Sequence, residues 1–161
     1  MAVPVLLVAL TVVSIEVTRW LRPRSPLFRP PVVLSLADAI ATDDVQAAYE
    51  FLRAGQDPNE LVGVSDPSLT DGRQVLVSPL VWAVAKQSTN SVLMLLGHGA
   101  RMDRAEDRAA SCLADSLGNG DIANALRSRP GAVAHEQCPK TTADAGAPLL
   151  LFVERAETLA N

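Results

Sequence analysis

The sequence predicts an all-α fold, a short solenoid of helical hairpins preceded by an apolar N-terminal helix that crosses a membrane. Three observations carry that expectation. The triplets Ser78-Pro79-Leu80 and Ser111-Cys112-Leu113 stand 33 residues apart. Apolar residues recur at helical spacing on both sides of short polar breaks. The run Ala2–Ile15 contains no charge. Helices as short as these are not stable alone in water, so each hairpin needs a neighbour to cover its apolar stripe.

Residues 1–21 form the expected anchor. Glu16 interrupts the apolar run, but Val17, Trp20 and Leu21 continue it. Met1–Leu21 as a helix then reaches across a hydrocarbon core of about 30 Å. The basic residues Arg19, Arg22, Arg24 and Arg29 come after the core, and no A-x-A cleavage site follows. That asymmetry puts the N-terminus outside and the remainder in the cytosol. An atypical export signal, giving a secreted or periplasmic protein, is the alternative. A segment packed on the array is the third reading. Residues 22–32 carry Pro23, Pro26, Pro30 and Pro31 and are expected to be an extended linker.

Residues 33–130 hold the array. The first unit, 33–60, runs from Leu36–Ile40 through the break at Asp43-Asp44-Val45 to Ala47–Leu52. It closes on Gly55-Gln56-Asp57-Pro58-Asn59. An insertion, 61–77, follows. Asp66-Pro67 and Asp71-Gly72 are turn signals, and Leu61-Val62 can pair with Val75-Leu76-Val77 as a short hairpin. It is either a tolerated surface insertion or a binding finger. In the second unit, 78–104, Ser78 is an N-cap and Pro79 fits a first helical turn. Leu80, Ala83 and Val84 share one helical face; Val92, Leu95 and Leu96 share another. Gly99 can end that second helix in a left-handed conformation. The third unit, 111–129, has a turn at Gly118–Ile122 and a short second helix, Ala123–Arg127, which suits a terminal cap. In the tail, 131–161, large apolar residues are scarce until Leu149. Leu149–Leu159 then places Leu149, Phe152, Val153 and Ala156 on one helical face, to cover the end of the array or to bind a partner.

The second unit resembles an ankyrin repeat, whose T-P-L-H-x-A opening and 33-residue period it follows. Ser78 stands for the Thr, Val81 for the His, and Gly99-Ala100 falls at the family's helix-ending Gly-Ala. Gly55–Asn59 resembles the G-A-D-P-N turn, with Gln56 for Ala. The third unit departs from the pattern at Cys112 and Asp115. The resemblance implies a non-enzymatic scaffold that recognises an unknown protein partner through a concave face of fingers and inner helices. The contact residues it implies are Asp57, Asn59, Asp66, Asp71, Arg73, Arg101 and Asp103.

The remaining chemistry is sparse. A net charge of -4 and the lack of a basic stripe argue against nucleic acid. Cys112 and Cys138 do not make a metal cluster. A disulfide between them stays open, with free thiols expected in a reducing compartment. His98 follows a helix and His135 lies in the tail, so a histidine-based catalytic pair is not expected. Asp38, Asp43 and Asp44 lack the ligand spacing of a calcium loop. Gly118-Asn119-Gly120 is too short to cradle phosphate. No enzyme activity, cofactor, metal or small-molecule substrate is therefore expected.

Overall fold

The computed structural model describes residues 33–134, 138, 149 and 151–153. The chain divides into residues 1–32 and 33–161, and every described residue belongs to the second unit. Helices α1 (Leu36–Ala41) and α2 (Val45–Arg53) come first. Strands β1 (Val62–Val64) and β2 (Val75–Val77) follow, then helices α3 (Pro79–Ala85), α4 (Thr89–Gly97), α5 (Ala105–Ser116) and α6 (Gly120–Arg127). The helices pair as α1 with α2, α3 with α4, and α5 with α6. Helix α3 packs between α1 and α5, and α4 between α2 and α6.

Local chemistry sets the helix starts. The side chains of Ser35, Asp44, Ser78, Ser88 and Asn119 each accept a hydrogen bond from a backbone N–H in the first turn that follows. A cap of this kind contributes about 1 kcal/mol. Helix α5 has no side-chain cap but carries Glu106 and Asp107 in its first turn, where the helix dipole favours negative charge. Each hairpin turns on one residue with positive φ: Asp43 (54°), Gln87 (57°) and Gly118 (75°). Glycine enters that region freely and aspartate tolerates it, whereas Gln87 is held there at a cost of about 1–2 kcal/mol.

The core runs through all three helix pairs. All seven residues of α3 are buried. Leu36 and Ile40 of α1, Val92 and Leu95 of α4, Leu113 of α5, and Ile122 and Leu126 of α6 are also closed to solvent. Trp82 Nε1 donates to the Ala37 carbonyl at 3.0 Å, tying α3 to α1 through a polar tip on an apolar body. Ser88 donates to Asp43, so the turn of the first hairpin meets the cap of α4. The ring of Tyr49 meets the edge of His98, with centroids 5.5 Å apart.

The strands form an antiparallel pair, Val62 opposite Val77 and Val64 opposite Val75. Alternation buries Val64 and Val77 and leaves Leu76 in water. The loop between the strands is stapled from inside. Asp66 N donates to Thr70 Oγ1, Thr70 N returns to the Asp66 carbonyl, and Thr70 Oγ1 donates to the Arg73 carbonyl. Lys86, after α3, reaches Asp66 Oδ2 at 3.2 Å and lies 5.5 Å from the Trp82 ring centroid.

The structure corrects the expected fold on three counts. It is not all-α, because the insertion pairs as a two-stranded sheet whose inward valines join the core. It is not the regular repeat solenoid expected. Helix α5 begins at Ala105, well before Ser111, and the turn residues Gln87 and Gly118 lie closer together than Ser78 and Ser111. Alanines at 105, 109, 110 and 114 favour an early, long helix, and no proline marks its start as Pro79 marks α3. Lastly, no described helix is long and apolar enough to cross a membrane; the longest, α5, has 12 residues. Residues 1–21 lie outside the described residues, as does the linker 22–32. The expected membrane-tethered, single-pass placement with a cytosolic domain is withdrawn with the spanning helix.

Cys112 and Cys138 form a disulfide, a pairing that the sequence leaves open. It joins α5 to the tail at a sequence separation of 26. The tail is already pinned nearby, since Val133 N donates to the Arg108 carbonyl at 2.9 Å and Ser111 Oγ donates to the Val133 carbonyl at 3.2 Å. A loop of this length restricts the unfolded chain by about 3–4 kcal/mol in the chain-entropy account. Replacing both cysteines by serine should lower the unfolding free energy by about that amount in urea titrations; an unchanged midpoint would contradict it.

Candidate functional site

A polar cleft is built where two helix-ending turns meet. The turn after α2 ends at Asn59, and the turn after α4 runs from Gly99 to Asp103. Gly99, at φ 90°, takes the left-handed conformation that frees its carbonyl to point at the first turn. Asn59 joins the two. Its Nδ2 donates to the Gly99 carbonyl at 3.2 Å, and its Oδ1 accepts from Arg101 N at 2.8 Å. Its own carbonyl accepts from Arg104 Nη1 at 3.0 Å. Asp57 Oδ1 accepts from Asn59 N at 2.9 Å and from Asn59 Nδ2 at 3.1 Å, which holds the amide in place.

The start of α5 completes the cleft with Arg104 and Asp107. Its lining is Asp57, Asn59, Glu60, Leu61, Arg101, Asp103, Arg104 and Asp107, around a volume of about 470 Å³. Asp107 is 3% exposed and accepts a hydrogen bond from Ser78 Oγ, the cap of α3. Burial pushes its carboxyl above the ordinary 3.8, opposed by the Ser78 hydrogen bond. Asp57 goes the other way. Hydrogen bonds from Asn59 hold its carboxyl below the usual range, with Arg101 and Arg104 adding to the effect. Arg101 and Asp103 pair at 2.9 Å with both side chains mostly in water, so that pair contributes little to stability.

Of the residues expected to touch a partner, Asp57, Asn59, Arg101 and Asp103 are brought together here. Asp66, Asp71 and Arg73 are not part of the cleft. Asp66 is occupied within the insertion. Its Oδ1 accepts from Ser68 Oγ, Ser68 N and Leu69 N, and its Oδ2 pairs with Lys86. Those bonds, led by the Ser68 hydroxyl, pull its pKa down to about 2. Asp71, at φ 54°, forms the exposed turn with Gly72. Arg73 is exposed and donates its N–H to the Thr70 carbonyl. Sequence reasoning missed Glu60, Leu61, Arg104 and Asp107. The early start of α5 hid the last two, and the Ser78–Asp107 pairing is a long-range one that no local pattern announces. Asp43 and Asp44, set aside as a cation site, bond to Ser88 and cap α2 respectively.

Two substitutions test this geometry. Asn59→Ala removes the two side-chain bonds that join the turns and should cost about 2 kcal/mol in urea unfolding. Asn59→Asp sets a carboxylate oxygen against the Gly99 carbonyl and Asp57 Oδ1, which now accept from the amide, and should cost at least as much at pH 7. Asp107 has a sharper signature. Its raised pKa means that its contribution to stability is full below pH 3.8 and is lost as pH rises through the folded-state value. Asp107→Asn should therefore be more stable than wild type at pH 7, with the gap closing near pH 3.5. A gap that widened toward acid would contradict the assignment.

No family model, no curated protein and no solved structure matches this chain, so the ankyrin resemblance of the second unit gains no support from known proteins.

Proposed function

We propose that this protein is a non-enzymatic recognition module that grips a partner protein in the polar cleft between its two helix-ending turns. One observation carries the reading: Asp57, Asn59, Arg101 and Asp103, from separate turns, line one cleft over the buried Asp107. The turns are joined by Asn59 before any partner arrives, so little ordering cost remains to be met on binding. The inner helices are a poorer surface, because α3 presents no exposed residue. The Cys112–Cys138 bridge further favours a protein that works where thiols are kept oxidised.

The rim residues Arg101 and Asp103 are exposed, so they can be exchanged without disturbing the core. Proximity labelling with the wild type and with the charge-swapped Arg101→Glu/Asp103→Lys double variant tests the proposal. Partners that depend on the cleft should fall by about ten-fold or more in the variant, equivalent to about 1.4 kcal/mol. An identical partner set from an equally stable variant would remove the cleft from the function.

A further inference from the structure

The floor of the cleft holds a buried carboxylate with one oxygen to spare. Asp107 lines the cleft and is 3% exposed. Its Oδ1 accepts from Ser78 Oγ, and among the described residues no side chain donates to its Oδ2. A carboxylate withdrawn this far from water is costly unless a cation faces it. The arginines of the cleft do not take that place. Arg101 Nε pairs with Asp103 at 2.9 Å, and Arg104 Nη1 donates to the Asn59 carbonyl at 3.0 Å. At Asp107 the attraction of Arg104 is weaker than the repulsion from Glu106, and burial outweighs both. One wall of the cleft also belongs to a strongly acidic segment. Residues 33–60 carry Asp38, Asp43, Asp44, Glu50, Asp57 and Glu60 against Arg53 alone, a field that draws in cations. Among the described residues no three carboxylates, histidines or cysteines converge to hold a metal ion, so the cation that fits is an organic one. Leu61, 39% exposed, gives an aliphatic stem an apolar wall to lie on.

Given that the cleft is where the partner binds, we propose that it takes a lysine or arginine side chain from a basic segment of that partner. The stem lies along Leu61, and the charged head meets Asp107 Oδ2 at the floor. A volume of about 470 Å³ is within the ordinary range of ligand clefts. The carboxylate is already desolvated in the free protein, so the incoming cation meets it without stripping its water first. A contact of this kind governs how long the complex lasts, and it makes Asp107 the anchor of the site.

The probes are n-butylguanidinium and n-butylammonium, with n-butylurea as the neutral control, each titrated into the full chain by NMR. At least one cation should shift the amide signals of Asn59, Leu61 and Asp107 saturably, and the urea should not. Asp107→Asn retains an acceptor for Ser78 and should weaken the cation by about ten-fold or more. Equal shifts from the urea, or unchanged binding to Asp107→Asn, would overturn the proposal. So would shifts spread evenly over Asp38, Asp44 and Asp71, which mean only diffuse attraction to an acidic surface. If Asp107→Asn does not fold, the contrast between cation and urea on wild type decides. Proximity labelling separates this anchor from the cleft itself. Asp107→Asn and the Arg101→Glu/Asp103→Lys variant should lose the same partners. Partners lost only from the rim variant leave the cleft standing and remove its basic anchor; partners kept by both variants remove both.

Discussion

Everything in this fold depends on α3 having no side in water. A seven-residue helix gains too little from its own hydrogen bonds to persist alone. Its stability is the sum of what surrounds it: α1 and α5 at its flanks and α4 behind. Two polar bonds fix it among these neighbours. Trp82 reaches the Ala37 carbonyl, and Ser78 serves both as the cap of α3 and as the donor to Asp107. The second bond links the core to the cleft, because the cap that starts the central helix also holds the carboxylate at the cleft floor.

Much of the helical core was legible in the residues. Ser78 and Pro79 announced α3, and Val92, Leu95 and Leu96 gave the buried face of α4, because caps and helical periodicity are local signals. The strand pairing was half legible. Val75-Leu76-Val77 was recognised, but its partner starts at Val62 rather than Leu61, since register is decided by which valines reach the core. The start of α5 was not legible. The 33-residue interval drew attention to Ser111, while alanine-rich helix propensity from Ala105 onward prevailed. The apolar N-terminal run invited a membrane helix, and no described helix meets that requirement. In the cleft, the residues of the two turns were found because turns are visible in sequence. Asp107 was not, because its role comes from a contact with Ser78 across the fold.

The cleft combines charges in opposed electrostatic environments. Asp57 is held ionised by amide donors and nearby arginines, while Asp107 is pushed toward its neutral form by burial. The rim carries the solvated charges of Arg101 and Asp103. Deeper in lies the Asp107 carboxyl, 3% exposed. Charges at the rim act mainly on encounter and specificity, and buried groups act on residence time. The division follows from position alone: the turns lie outermost and the first turn of α5 lies beneath them.

The bridge between Cys112 and Cys138 has a consequence for mechanical wear at the array's far end. Stacked hairpins ordinarily unravel from the outermost member inward, one layer at a time. Here the covalent ring encloses the whole of α6, from its cap at Asn119 to Arg127. Peeling by a pulled thread, or by a protease that must feed an extended strand through its jaws, therefore meets a closed loop once it reaches Cys138. The two helices of the outermost hairpin are held in one covalent ring with the start of the tail and have to come apart together.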